Sequence, residues 1–162
     1  VTAPRKGPVR RAAGSAADDA LLFAMLRLVD LAVRPLQGDL GRHHGLALSE
    51  WRTLAVVEAR PGCAATEIAR HSGLDKMSVS RALASLEADG RIARRADPRD
   101  ARRSLAVLTP AGRALCRALR DPAADCEAAL VAALGVAERR QLRALVERMT
   151  ARLHVAVGPP PA

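Results

Sequence analysis

The sequence predicts a mainly α fold interrupted by one β-hairpin. Apolar residues recur at helical spacing over most of the chain, and the period changes to two on either side of Ala96-Asp97-Pro98-Arg99-Asp100-Ala101. Glycine-containing breaks separate the short amphipathic segments. With 162 residues, 49% of them hydrophobic and 27% charged, the chain is about one domain and carries enough apolar surface for a core.

Each element has a local signal. Asp18 or Asp19 is placed to cap a first helix whose apolar positions are Leu21, Leu22, Met25, Leu28, Val29 and Ala32. Pro35 and Gly38 are expected to kink or end it. Ser49 and Glu50 open a second helix through Trp51, Leu54, Ala55 and Val57, closed by Pro61-Gly62. A third covers residues 65–71, with Glu67 at the N3 position of a capping box and Cys63 and Ile68 as a hydrophobic staple. Ser72-Gly73 ends it, because the chain must turn left-handed there. Asp75 caps a fourth helix with Val79, Leu83 and Leu86 as its inward stripe.

Residues 92–95 and 104–108 pair as the hairpin, with Pro98 in the turn. Thr109-Pro110 restarts helix as N-cap and first helical residue, and Leu115 and Leu119 continue it to Asp121-Pro122. A last helix opens near Glu138 and carries Leu142, Leu145, Val146, Met149 and Leu153. Residues 1–16, with Arg5, Lys6, Arg10, Arg11 and no acid, read as a disordered basic tail, and 158–162 as a second tail. The folded unit is then 17–157.

The net charge of +9 is almost all arginine; Lys6 and Lys76 are the two lysines. Such a surplus points to a polyanionic partner. Phe23 and Trp51 are the only aromatics, too few for a platform that stacks single-stranded bases. Three cysteines make no disulfide framework, so a reducing cytoplasm is expected. No apolar stretch approaches the roughly 20 residues that span a bilayer, and no secretory leader is evident. No membrane partner is expected.

Three compact helices and a basic hairpin describe a winged helix-turn-helix, with Ser72-Gly73-Leu74 as its turn. On the fourth helix small Ser78 and Ser80 permit close approach to a major-groove floor, while Lys76 and Arg81 reach guanine edges or phosphates. Residues 76–103 hold eight basic side chains against four acids. The DNA-binding core is placed at about residues 49–109.

Leu74-Asp75-Lys76-Met77-Ser78-Val79-Ser80-Arg81, Leu86-Glu87-Ala88-Asp89-Gly90, Arg94-Arg95-Ala96-Asp97-Pro98-Arg99-Asp100-Ala101-Arg102 and Leu108-Thr109-Pro110-Ala111-Gly112 together resemble the multiple-antibiotic-resistance regulator (MarR) family, over roughly residues 18–155. The resemblance implies a homodimer with interlocking N- and C-terminal dimerisation helices, two winged domains reading a pseudo-palindrome in double-stranded DNA, and repression relieved by a small-molecule effector. It assigns Lys76, Ser78, Ser80 and Arg81 to the major groove and Arg99, at the wing tip, to the minor groove. Arg94, Arg95 and Arg103 fall near phosphates, and Asp97 and Arg102 brace the wing by charge pairing. Met77 departs from the small polar residue frequent there in the family. Dimerisation also follows from the apolar stripes of the first and last helices, which exceed what one three-helix core covers.

Other constellations point to structure rather than chemistry. Cys116 and Cys126 lie ten residues apart, roughly 80° off one helical face, and structural roles are expected for both and for Cys63. A redox sensor using Cys63 or Cys116 is the alternative within the regulator class, and a nonspecific architectural nucleic-acid-binding protein the alternative outside it. His43, His44, His71 and His154 form no zinc-ligand spacing, so no metal or cofactor is expected. Trp51 is assigned to core packing. No nucleophile elbow or phosphate-binding glycine loop occurs, so the chain is not expected to be an enzyme.

Overall fold

The computed structural model describes residues 14–98 and 100–157; the side chains of 14–20, 101–102 and 154–157 fall outside the description. The elements in order are α1 (Gly14–His44), α2 (Leu48–Ala59), β1 (Cys63–Ala64), α3 (Ala65–Ser72), α4 (Lys76–Ala88), β2 (Ile92–Asp97), β3 (Asp100–Leu108), α5 (Pro110–Ala118), α6 (Arg120–Leu130) and α7 (Val136–Val157). The sheet is antiparallel in the order β1-β3-β2, with Cys63 opposite Ala106 and Ile92 opposite Leu108. This is the expected mainly α fold with a winged helix-turn-helix at its centre.

The caps explain where the helices start. Asp75 accepts the Ser78 N–H at 2.8 Å, and the Thr109 hydroxyl accepts the Gly112 N–H at 3.1 Å, with Pro110 where its missing N–H costs nothing. Ala47 and Ala64 have no capping side chain. Glu50 and Glu67 instead reach back to their backbone N–H groups at 2.7 and 2.9 Å, the other half of a capping box.

Several expectations are corrected. The first helix neither ends nor breaks at Pro35; it runs on to His44, and Asp18 and Asp19 lie inside it rather than at its cap. A proline inside a helix costs about 3 kcal/mol, but Leu36 and Leu40, immediately beyond it, are fully buried and hold the segment on the core. The helix also takes in residues 14–16, given above to the tail; the remainder of both tails lies outside the described residues. Residues 63–64, where Cys63 is expected only as a staple, form a third strand on β3, too short to show a period. Pro122 does not close the helix of Leu115 and Leu119. The break falls at Leu119, and Pro122 sits in the first turn of α6.

The core joins Leu36 and Leu40 of α1, Leu54 and Val57 of α2, Ile68 of α3, and Val79, Leu83 and Leu86 of α4 to the sheet. The N-terminal half of α1 exposes Leu22, Phe23, Leu26 and Val29, and α7 exposes Val136, Val146 and Leu153. No extended packing joins α7 to the rest of the described chain.

Candidate nucleic-acid interface

The inward stripe of α4 fixes its outward face. With Val79, Ala82, Leu83 and Leu86 buried, Lys76, Met77, Ser80 and Arg81 stand in solvent. Arg81 makes no hydrogen bond or ion pair among the described residues. Ser78 is only half-exposed, and its hydroxyl donates to Asp75 Oδ2 at 2.6 Å. It completes the cap as well as flanking the outward face of α4. The hydroxyl and N–H of Ser78 hold the Asp75 carboxyl below its ordinary range. Met77, 66% exposed, is the one large apolar side chain on this face.

The wing separates residues that are adjacent in sequence. Along β2, Arg94 turns toward α4, and its Nε lies 3.1 Å from Glu87 Oε2. Arg95, grouped with Arg94 near phosphates by the resemblance, instead points to the opposite face, into a groove beside α2 and α5. Arg103 bridges two acids: Nη1 is 4.0 Å from Asp97 Oδ2, and Nη2 is 3.9 Å from Glu67 Oε2 on α3. Asp97 is largely buried, 13% exposed. Arg99 and the side chain of Arg102 lie outside the described residues. Among those described, Asp97 meets Arg103, a residue the sequence assigned to phosphates.

Two arginines that sequence reasoning passed over hold the domain together. The Arg52 guanidinium donates to the Ser72 carbonyl and ties α2 to the turn before α4. Gly73 is left-handed there, φ 66°, and a Cβ would lie 3.1 Å from the same guanidinium. Arg91 donates to the His44 carbonyl, joining the wing root to α1.

Above this layer, α1, α2, α5 and α6 border a mainly apolar, half-open cavity of about 490 Å³ lined by Leu36, Trp51, Leu54, Cys116 and Cys126. Glu58 and Arg120, 3.4 Å apart, also line it. Trp51 is therefore a cavity wall as well as a core neighbour. A second hollow of about 650 Å³ opens between α1 and α6 at Leu28, Pro35 and Asp39, and the Asp39 carboxylate lies 3.7 and 3.9 Å from the rings of His43 and His44. Burial pushes the Cys63 and Cys116 thiols up, with Glu67 and Glu58 adding to the shift. Among the described residues no cluster of three metal-ligating side chains occurs, and no helix is long and apolar enough to cross a membrane.

A model described as the MarR family matches residues 44–103. The chain is 30% identical over 133 residues to the HTH-type transcriptional repressor Rv2887 of Mycobacterium tuberculosis strain H37Rv, covering 82% of this chain and 96% of that one. This chain belongs to the MarR family. Among solved structures, the MarR-family transcriptional regulator from Silicibacter pomeroyi superposes with a TM-score of 0.76 at 26% identity, covering 88% of this chain and 96% of that one. The M. tuberculosis MarR-family protein Rv2887, in complex with salicylic acid, gives 0.62 at 28% identity, covering 82% and 98%.

As a MarR-family transcriptional regulator, the chain carries the family pattern where the physics needs it. The glycine of Leu-Thr-Pro-Ala-Gly is Gly112, whose Cβ would fall 2.0 Å from the Arg91 carbonyl oxygen. Arg91 and Arg52 had no signal in the sequence, since each bonds to a backbone carbonyl far along the chain.

Proposed function

We propose that this regulator is a homodimeric repressor that reads a pseudo-palindromic operator in double-stranded DNA and leaves it when a small molecule fills the cavity between α1, α2, α5 and α6. The observation that carries the reading is the outward face of α4, where Lys76, Ser80 and Arg81 stand beside the basic wing. Arginine is the side chain best suited to a guanine edge, and a small serine lets the helix sit deep in the groove. In this reading Arg99 is assigned to the adjacent minor groove and Arg94 and Arg103 to phosphates; Arg95, given to phosphates with them by the resemblance, is left out because it leaves β2 by the other face.

The dimer is supported by the exposed apolar faces of α1 and α7, which a second copy would cover. Its two α4 helices would then read half-sites about one helical turn apart. The effector reading rests on a mainly apolar cavity large enough for a single-ring ligand, with the Glu58–Arg120 pair at its edge. The relative Rv2887 is complexed with salicylic acid. The raised Cys63 and Cys116 thiols argue against a thiolate redox switch at neutral pH. No catalytic step is assigned, and the cytoplasm is assigned as the place of action.

Fluorescence anisotropy on DNA from its own promoter, against random duplex, with and without salicylate, tests the proposal; sedimentation velocity reads the dimer. Site-specific binding by a dimer, weakened by the aromatic acid, is the expected result. Equal affinity for both duplexes at moderate salt, or a monomer at micromolar concentration, sinks it.

A further inference from the structure

On the face of the wing turned away from α4, four arginines line one groove of about 440 Å³: Arg95 of β2, Arg113 and Arg117 of α5, and Arg120 of α6. Arg113 and Arg117 are one helical turn apart and share a face, and α5 packs on β3, the strand paired with the one that carries Arg95. The floor between them is apolar, built from Val57, Pro61 and Val107. Glu58 is the only carboxylate lining the groove among the described residues, and it lies 3.4 Å from Arg120. Arg113 Nη1 donates to the Leu108 carbonyl at 2.8 Å, which orients the group without neutralising it. Arg95 and Arg117 enter no ion pair among the described residues.

Four positive charges facing one negative charge across a concave surface repel one another and concentrate anions there. We propose that this groove is a second ligand site, for an organic anion bearing two or more carboxylate or phosphate groups on a compact apolar body. The charge sets the valence: with Glu58 offset against Arg120, three guanidiniums remain, each able to take an acid group bidentately. The floor sets the body, because Val57, Pro61 and Val107 offer surface to a ring or short hydrocarbon and nothing to a hydrated inorganic ion. The site is separate from the DNA-reading side, since Arg94 and Arg95 leave β2 by opposite faces. Glu58 and Arg120 also line the effector cavity, so the variants that test the groove are drawn from Arg95, Arg113 and Arg117 alone.

The probe is benzene-1,3,5-tricarboxylate, titrated calorimetrically into the full chain at physiological salt, with benzoate as the monoanionic control. The tricarboxylate is expected to bind saturably, without competition from benzoate. R113Q/R117Q is expected to lose roughly tenfold or more of that affinity, and R95Q, on an exposed strand position, several-fold, each with an unchanged circular dichroism spectrum and Tm. Operator affinity and its salt dependence should stay as in the parent in R113Q/R117Q. Three results overturn the site: no saturable binding of the tricarboxylate, equal binding by R95Q and the parent, or a shallower salt slope on the operator in R113Q/R117Q. The last would assign the groove to DNA phosphates.

Discussion

Arg91 Nη2 donates to the His44 carbonyl at 2.7 Å, so the last turn of α1 hangs on the first residues of the wing. The same arginine lies 3.4 Å from Asp89 at the end of α4, and its own carbonyl accepts from the Thr109 N–H and hydroxyl, each at 3.1 Å. One residue thus joins the ends of four elements. Arg91→Met keeps the stem and removes the charged donor, leaving a helix-terminal carbonyl without it. The expected loss is about 1.5–3 kcal/mol in urea unfolding at fixed protein concentration. A change under about 0.5 kcal/mol, the range of ordinary surface substitutions, would show that the bond does not hold the two layers.

The close approach at that carbonyl also dictates Gly112. An added Cβ would lie 2.0 Å from Arg91 O and 3.0 Å from Arg91 C, both backbone atoms that cannot step aside. Gly112→Ala is expected to destabilise by about 1–3 kcal/mol. Gly41→Ala is the control: Gly41 lies in α1, where an added Cβ would meet nothing within 4 Å, and alanine should stabilise the helix by about 0.5 kcal/mol. Thermal melts in which the two variants move together would refute the contact.

What the sequence could and could not reveal follows from how local each cause is. Asp75, Gly73 and Thr109-Pro110 act within four residues, and each stands where the local pattern put it. Pro35 misleads because the burial that overrides it is tertiary, at Leu36 and Leu40. Arg94 and Arg95 look alike in sequence, and only the pleat of β2 sends one to Glu87 and the other to the groove behind the wing. The Arg91–His44 bond spans 47 positions and ends on a backbone carbonyl, which carries no side-chain signature.

The Asp75 cap makes a pH prediction. Its carboxyl is held down by the hydroxyl and N–H of Ser78, so the folded state binds its proton less readily than the unfolded chain. The contribution is therefore present above the unfolded aspartate value, about 3.9, and is lost as pH falls through the lower folded value. Asp75→Asn keeps a capping oxygen but cannot titrate. The stability gap between parent and variant should be constant from neutral pH to about pH 5 and shrink below it. A gap that widens on acidification has the wrong sign for this cap.

On the outward face of α4, Arg81 is exposed and makes no hydrogen bond or ion pair among the described residues, so its removal costs the fold little. Arg81→Ala should weaken binding to the operator more than to random duplex, by about 1–3 kcal/mol of discrimination if the guanidinium engages a guanine edge. Anisotropy titrations on the two duplexes decide the matter. Equal losses on both would make Arg81 a phosphate contact and shift base reading to Lys76 and Ser80.

Asp97 offers the sharper test, because charge and architecture predict opposite signs. On charge alone, deleting an acid from the wing strengthens binding to DNA. Asp97, however, is largely buried and lies 4.0 Å from Arg103, whose other nitrogen is 3.9 Å from Glu67 on α3. The two acids hold Arg103 between the wing and the helix-turn-helix, and with it the angle at which the hairpin leaves the domain. Asp97→Ala frees Arg103 from one side and loosens that angle, so operator binding should weaken despite the gain of a positive charge. Asp97→Asn, which keeps the shape without the charge, should fall between parent and alanine. Titrations across a salt series, with dimer state and Tm checked, give the answer. Tighter binding by Asp97→Ala at every salt concentration would reduce Asp97 to a surface charge, and the wing angle would have to be set by the β2–β3 pairing alone.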